Sequence, residues 1–226
     1  MTLSASSLQP QPRPQLGSRP GNAPSSGHPG LWMPVQQLLA ACMLAVLSPL
    51  LLAVVILIRL ESRGPAVFHQ PRVGRDGQHF KLYKFRSMYI TGDRRPRSNS
   101  AAISIREGLC AKYRNDPRVT AVGHNLRVWS IDELPQLINV VRGEMALVGP
   151  RPALVEEVAA YPEPALARLS VLPGLSGLWQ VSGRADTSFE QQIELDLRYV
   201  NKASPSFDLL ILLRTVSAVL GRRGAY

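Results

Sequence analysis

The run from Leu38 to Ile58, LLAACMLAVLSPLLLAVVILI, is apolar throughout except at Ser48 and Pro49. At about 1.5 Å per residue a straight helix over this run reaches about 31 Å, enough to cross a bilayer core of about 30 Å. Pro49 falls in mid-run, where it removes one helix hydrogen bond and obstructs the preceding turn, while Ser48 carries a hydroxyl for a freed carbonyl. The pair fits a kink in a spanning helix or the bend of a re-entrant hairpin. Further on, the pattern changes to alternation. Lys81, Tyr83 and Phe85 share one side of a strand and Leu82, Lys84 and Arg86 the other, with a preceding strand that meets it at Asp76-Gly77. Leu134, Leu137, Ile138 and Val141 recur at helical spacing and predict a helix with a buried stripe. Phe207 to Leu220 is largely apolar with one arginine, which suits an interfacial helix or a core helix. The elements predict an α/β class, mainly α: a membrane-associated domain with amphipathic helices around a small core that carries a β-hairpin.

Composition divides the chain. Residues 1–34 are rich in Pro, Ser, Gly and Gln with no acidic residue, and read as a disordered tail. The apolar run lies too far from the start for a signal peptide. The predicted organisation is therefore a tail at 1–34, a membrane segment at 35–60 and a globular domain at 61–226. Residues 91–112 are polar and irregular and read as a loop. Two cysteines and four histidines occur without metal-ligand spacing, so neither a disulfide framework nor a zinc site is indicated.

The charge narrows the partner. The formal net charge is +10, which calls for an anionic partner: nucleic acid, anionic lipid or a phosphorylated substrate. Ten basic residues against three acidic ones fall between Arg59 and Arg97, directly after the apolar run. That position favours lipid headgroups or phosphates at a membrane surface and places the globular part on the cytoplasmic face.

Three short stretches carry candidate chemistry. In SIDELPQL, Ser130 and Glu133 fit a capping box, Asp132 is an alternative cap, and Pro135 sits in the first turn. A helix start also favours ionised carboxylates, so Asp132 is expected to have a lowered pKa. In Gly149-Pro150-Arg151-Pro152 an arginine is fixed between two prolines and loses little entropy on gripping phosphate. The stretch LPGLSGLWQVSGRAD combines glycines that permit close backbone approach with Arg184. Neither a P-loop nor a G-x-G-x-x-G fingerprint is present. Adjacent carboxylates, presented arginines, a basic juxtamembrane face and a membrane segment are the parts that phosphoryl transfer at a membrane requires. A membrane-tethered module without activity, binding anionic lipid or nucleic acid, accounts equally well for the charge and the anchor but not for the acid pair.

The stretches RVGRDGQHFKLYKFRSM, NDPRVTAVGHNLR, SIDELPQLINVVRGEMALVGPRP, PGLSGLWQVSGR and LLRTVSAVLGRRGAY together resemble the bacterial sugar transferases, the small monotopic phosphoglycosyl transferases. The resemblance extends from Leu38 to Tyr226, and the chain resembles the minimal catalytic form. It implies transfer of a sugar-1-phosphate from a UDP-sugar to polyprenyl (undecaprenyl) phosphate, with release of UMP, at the start of exopolysaccharide or glycoconjugate assembly. It further implies Asp132 as nucleophile, Glu133 with Asp132 as ligands of Mg²⁺, and Arg184, Arg151 and Arg127 as phosphate contacts, joined by Lys84 and Arg86 from the basic hairpin. A helix broken at Ser48-Pro49 to re-enter the cytoplasmic side of the bacterial inner membrane is implied as well. The partners are then the lipid bilayer, the donor and the acceptor, with no nucleic acid. Val128 departs from the family, which often has a second basic residue there, and Gly92 to Leu109 matches poorly.

Overall fold

The computed structural model describes residues 29–90, 116–183 and 187–221. The chain begins with a long helix, α1 (Met33–Glu61), followed by a hairpin of β1 (Val67–Val73) and β2 (His79–Phe85). After the segment 91–115 come α2 (Ala121–Val128), a 3-10 turn (Ile131–Gln136), α3 (Leu137–Val141) and β3 (Ala146–Val148). Next are α4 (Val155–Ala159), a second 3-10 turn (Glu163–Ser170), β4 (Gly174–Ser176) and α5 (Leu178–Ser182). Two longer helices, α6 (Phe189–Lys202) and α7 (Pro205–Leu220), complete the described chain. The result is mostly helical with two small sheets, β1 antiparallel to β2 and β3 parallel to β4.

One element differs from its expectation. The predicted break at Ser48-Pro49 does not divide α1, which runs through Pro49 as a single helix. Pro49 has no N–H for the carbonyl of Ala45 one turn earlier. The Ser48 hydroxyl donates to that same carbonyl at 2.7 Å, so the acceptor stranded by the proline is satisfied and the helix continues.

A single stripe of α1 packs on the domain. Ala40 and Leu44 join Leu137, Val140, Val148, Tyr199 and Ile211 in one core cluster. Val54 and Ile58 join Ala66, Phe85 and Leu126 in a second. The remaining surface is apolar and exposed, with Val46 and Leu60 each almost 80% open (78% and 79%). α7 follows the same plan: Ile211 is buried, while Leu209, Leu213, Val216 and Leu220 lie open on its outer side.

Polar groups fix both ends of α1. At its start the buried Gln36 accepts the Leu147 N–H at 2.7 Å and donates to the Leu31 carbonyl at 2.6 Å. The Leu31 N–H in turn donates to Asp208 at 2.8 Å, and the Tyr199 hydroxyl donates to the other oxygen of that carboxylate. At its far end Arg86 is buried, and its guanidinium donates to the carbonyls of Arg63 and, at 2.8 Å, Ser62. The last carbonyls of a helix lack intrahelical partners, and a cation suits the negative end of its dipole. Arg86, expected from the sequence as a phosphate contact, thus caps α1.

The hairpin turns where the sequence places it. Asp76 and Gly77 both have positive φ, 54° and 76°, and the Gln78 N–H donates to the Arg75 carbonyl, the pattern of a type I′ turn. Asn139, fully buried on α3, then pins β2 through its side-chain amide. It accepts the Tyr83 N–H at 3.2 Å and donates to the Lys81 carbonyl at 2.7 Å, as a neighbouring strand would.

Candidate active site

The two carboxylates of SIDELPQL occupy the first 3-10 turn, and the capping box expected there is absent. Ser130 adopts left-handed geometry (φ 56°) and makes no side-chain cap, because it reverses the chain between α2 and the turn. The Glu133 carboxylate extends instead to β2, where Lys84 Nζ lies 2.7 Å from Oε1. The stripe of α3 is also displaced: Leu137 and Val140 are fully buried, whereas Val141 is exposed.

Lys84 and Arg127 are the cations whose charge acts favourably on Asp132. Arg127 projects from the last turn of α2, with Nε donating to the Ser87 hydroxyl at 2.9 Å. α2 rests on Ser87 so closely that a Cβ on Gly123 would lie 2.1 Å from the Ser87 carbonyl oxygen. The dyad is thus framed by β2 on one side and α2 on the other. Contrary to the expectation of a lowered value, burial pushes the Asp132 carboxyl up to about 6, with the adjacent Glu133 adding to the rise. Lys84 and Arg127 oppose it without prevailing. A short 3-10 turn has too few aligned peptides to supply the helix dipole that the lowering required.

Gly149-Pro150-Arg151-Pro152 is rigid for a reason beyond its prolines. The carbonyls of Pro150, Arg151, Pro152 and Ala153 accept, in order, from Gly174 N–H (2.8 Å), Arg168 (3.0 Å), Arg72 (2.9 Å) and Val73 N–H (2.9 Å). Proline offers no N–H, so the segment is held through its acceptors. Gly174 is required here, since a Cβ would lie 2.0 Å from the Gly149 nitrogen. The Arg151 side chain meets the buried Glu157 at 3.2 Å. Behind it Arg168 is ion-paired with Asp196 and donates to the Tyr161 hydroxyl. Arg184 and residues 92–109 lie outside the described residues.

The structure thus gathers Asp132, Glu133, Lys84 and Arg127, and it pairs Arg151, expected to share their phosphate task, with Glu157. Asn139, Arg72 and the Arg168–Asp196 pair had no place among the expected site residues. Asn139 left one trace, a polar residue within an apolar helical run; Arg168 and Asp196 left none.

A carboxylate pair beside two cations, in a fold with one helix long and apolar enough to cross a membrane, is compatible with group transfer. The comparisons make this specific. The family model described as bacterial sugar transferase matches residues 33–222. An exopolysaccharide production protein, ExoY, of Sinorhizobium fredii is 44% identical over 193 residues, covering 84% of this chain and 85% of its own. A UDP-glucose:undecaprenyl-phosphate glucose-1-phosphate transferase of Caulobacter vibrioides is 42% identical over 196 residues, covering 83% of this chain and 68% of its own. An undecaprenyl-phosphate galactose phosphotransferase of Salmonella typhimurium is 42% identical over 166 residues, covering 72% of this chain and 35% of its own. The chain belongs to the bacterial sugar transferase family, and it is an enzyme.

The raised Asp132 value has a kinetic consequence. A carboxyl held above its ordinary range becomes protonated as pH falls through about 6 and is anionic above it. A step that needs the anion is expected to slow about tenfold per pH unit below the break and to level off above it. Because a cation beside the pair favours the anion, the break in kcat/KM belongs at or below about 6. A break at pH 8 in the rate profile would contradict this environment.

Proposed function

We propose that the chain transfers a sugar-1-phosphate from a UDP-sugar to undecaprenyl phosphate at the cytoplasmic face of the bacterial inner membrane, beginning exopolysaccharide or glycoconjugate assembly. The observation that carries this reading is the Asp132–Glu133 pair on one turn, framed by Lys84 and Arg127 and joined to α1 through β2 and α2. In the first half-reaction an Asp132 oxygen attacks the sugar-bearing phosphorus of the donor. The bond from that phosphorus to the bridging oxygen breaks, and UMP leaves with the electron pair. In the second, an oxygen of undecaprenyl phosphate attacks the same phosphorus, the bond to Asp132 breaks, and the free carboxylate returns with undecaprenyl-diphosphate-sugar as product.

Positive charge around the diphosphate comes from Lys84, Arg127 and, on the rigid segment, Arg151, with Arg184 assigned to the same task by the family resemblance. The donor set fits Mg²⁺, because Asp132 and Glu133 offer hard oxygens. Among the described residues no group of three or more His, Cys, Asp or Glu encloses a site, and Mg²⁺ favours one or two carboxylates together with substrate phosphates and water. When bound, the cation supplies charge neutralisation for the diphosphate, with Glu133 its principal protein ligand.

The placement of α1 favours a monotopic mode. Gln36 near its start and Arg86 at its end both tie it to one globular body, so the two ends share a side of the membrane. Its exposed apolar faces then sink into the lipid on that side, with the outer face of α7 beside them. The test is a panel of UDP-sugars presented with undecaprenyl phosphate in vesicles, read as UMP release. UMP is expected from one or a few donors and only with the lipid acceptor under turnover conditions. A chain that binds the vesicles and releases UMP from none would favour the membrane-tethered module.

A further inference from the structure

Lys84 stands where a cation is needed before any substrate arrives. Its ammonium lies 2.7 Å from Glu133, and both side chains keep roughly a third of their surface open (28% and 32%), so an ion from solvent can reach the pair. The backbone beneath Lys84 cannot follow a moving ligand, because Asn139 clamps β2 at Lys81 and Tyr83. Only the side chain is free to swing. A lysine ammonium is a compact point charge on a flexible four-carbon stem, whereas a guanidinium holds a carboxylate through two parallel bonds.

We propose that Lys84 is an exchangeable counter-ion: it neutralises Glu133 in the empty site, yields the carboxylate to a divalent cation, and then turns to the donor's diphosphate. This rests on the reading that Glu133 is a ligand of the divalent cation. The exchange makes Lys84 a competitor of the metal in the empty protein and a partner of the phosphates in the loaded one. Metal and nucleotide diphosphate therefore bind each other's complex more tightly than the empty site. The lysine also gives Glu133 a counter-charge between turnovers.

The test uses Mn²⁺ as the probe and the full chain in lipid nanodiscs, with free Mn²⁺ followed by electron paramagnetic resonance and no nucleotide present. Lys84→Met keeps the length of the side chain and removes the competitor, so Mn²⁺ binding is expected to tighten about two- to fivefold. Lys84→Arg is expected to shift it the other way, since the bidentate grip is harder to displace. Opposite signs from two bulky substitutions are not produced by general damage to the fold. With Mn²⁺ at saturation, UDP is expected to bind Lys84→Met more weakly than the unaltered protein. Mn²⁺ affinity that is unchanged or weaker in Lys84→Met overturns the exchange. Mn²⁺ binding that persists unaltered in Glu133→Gln overturns the metal reading itself, and the exchange with it.

Discussion

Asp132→Asn is expected to lower UMP formation by at least about 10³-fold while leaving the fold intact. The amide matches the carboxylate in shape but has neither its charge nor its nucleophilicity. Burial and the adjacent Glu133 outweigh the favourable charges of Lys84 and Arg127 on Asp132, so removing its negative charge costs no net stability. Lys84 keeps its partner on Glu133 at 2.7 Å. The melting temperature is therefore expected to stay the same or rise slightly, which separates a chemical defect from a folding one. Initial rates of UMP release measured beside a thermal melt check both halves. Activity within tenfold of the unaltered enzyme would remove Asp132 from the nucleophile's role.

Arg168→Met is expected to have the largest effect on stability. Arg168 is 5% exposed and holds the fully buried Asp196 in an ion pair; it also donates to the Arg151 carbonyl and the Tyr161 hydroxyl. Its loss strands a carboxylate in the core. Breaking one partner out of a buried pair costs about 3–5 kcal/mol, or a fall in Tm of about 10 °C in a chain of this size. Burial already holds the Asp196 carboxyl up at about 6 in the intact protein. Arg168 is the main group that holds this value down, so its loss pushes the Asp196 carboxyl up further; the penalty in the variant is largest at high pH and shrinks as pH falls and the carboxyl takes up its proton. Removing the second charge as well, in Arg168→Met with Asp196→Leu, is expected to recover a large part of the loss. A Tm within about 2 °C of the unaltered protein at pH 8 would show that the pair is not holding this part of the core.

What could be read from the sequence was what depends on near neighbours. The apolar run at Leu38–Ile58 had to be a helix with a lipid-compatible surface, and Asp76-Gly77 had to turn a hairpin. The adjacency of Asp132 and Glu133 is covalent and needed no structure. The errors came where a distant group outbid a local one. Ser130 and Glu133 have the spacing of a capping box, but Glu133 finds Lys84 49 positions away and Ser130 takes a left-handed turn. Arg86 looked like one more cation of a basic hairpin until the end of α1 was seen to need its donors. Ser48-Pro49 read locally as either a kink or a bend, the resemblance implied a break, and the helix instead continues with the Ser48 hydroxyl in place of the one missing bond.

The polar clamps were the least legible part, because each joins segments far apart in the chain. Asn139 reaches back 58 positions to Lys81, and Arg72 reaches forward 80 to Pro152. No periodicity announces such contacts. Yet they set the site: Asn139 holds the strand that carries Lys84, and Arg168 and Arg72 hold the carbonyls of Arg151 and Pro152.

The central claim is that Asp132 carries the sugar phosphate between donor and acceptor, and intact-protein mass spectrometry tests it most directly. The enzyme is mixed with a UDP-sugar that supports UMP release, in the absence of undecaprenyl phosphate. The account predicts a mass gain of one sugar phosphate, absent from Asp132→Asn and discharged when undecaprenyl phosphate is added. An unchanged mass, with UMP formed only when donor and acceptor are present together, would contradict it and show direct transfer between the two substrates.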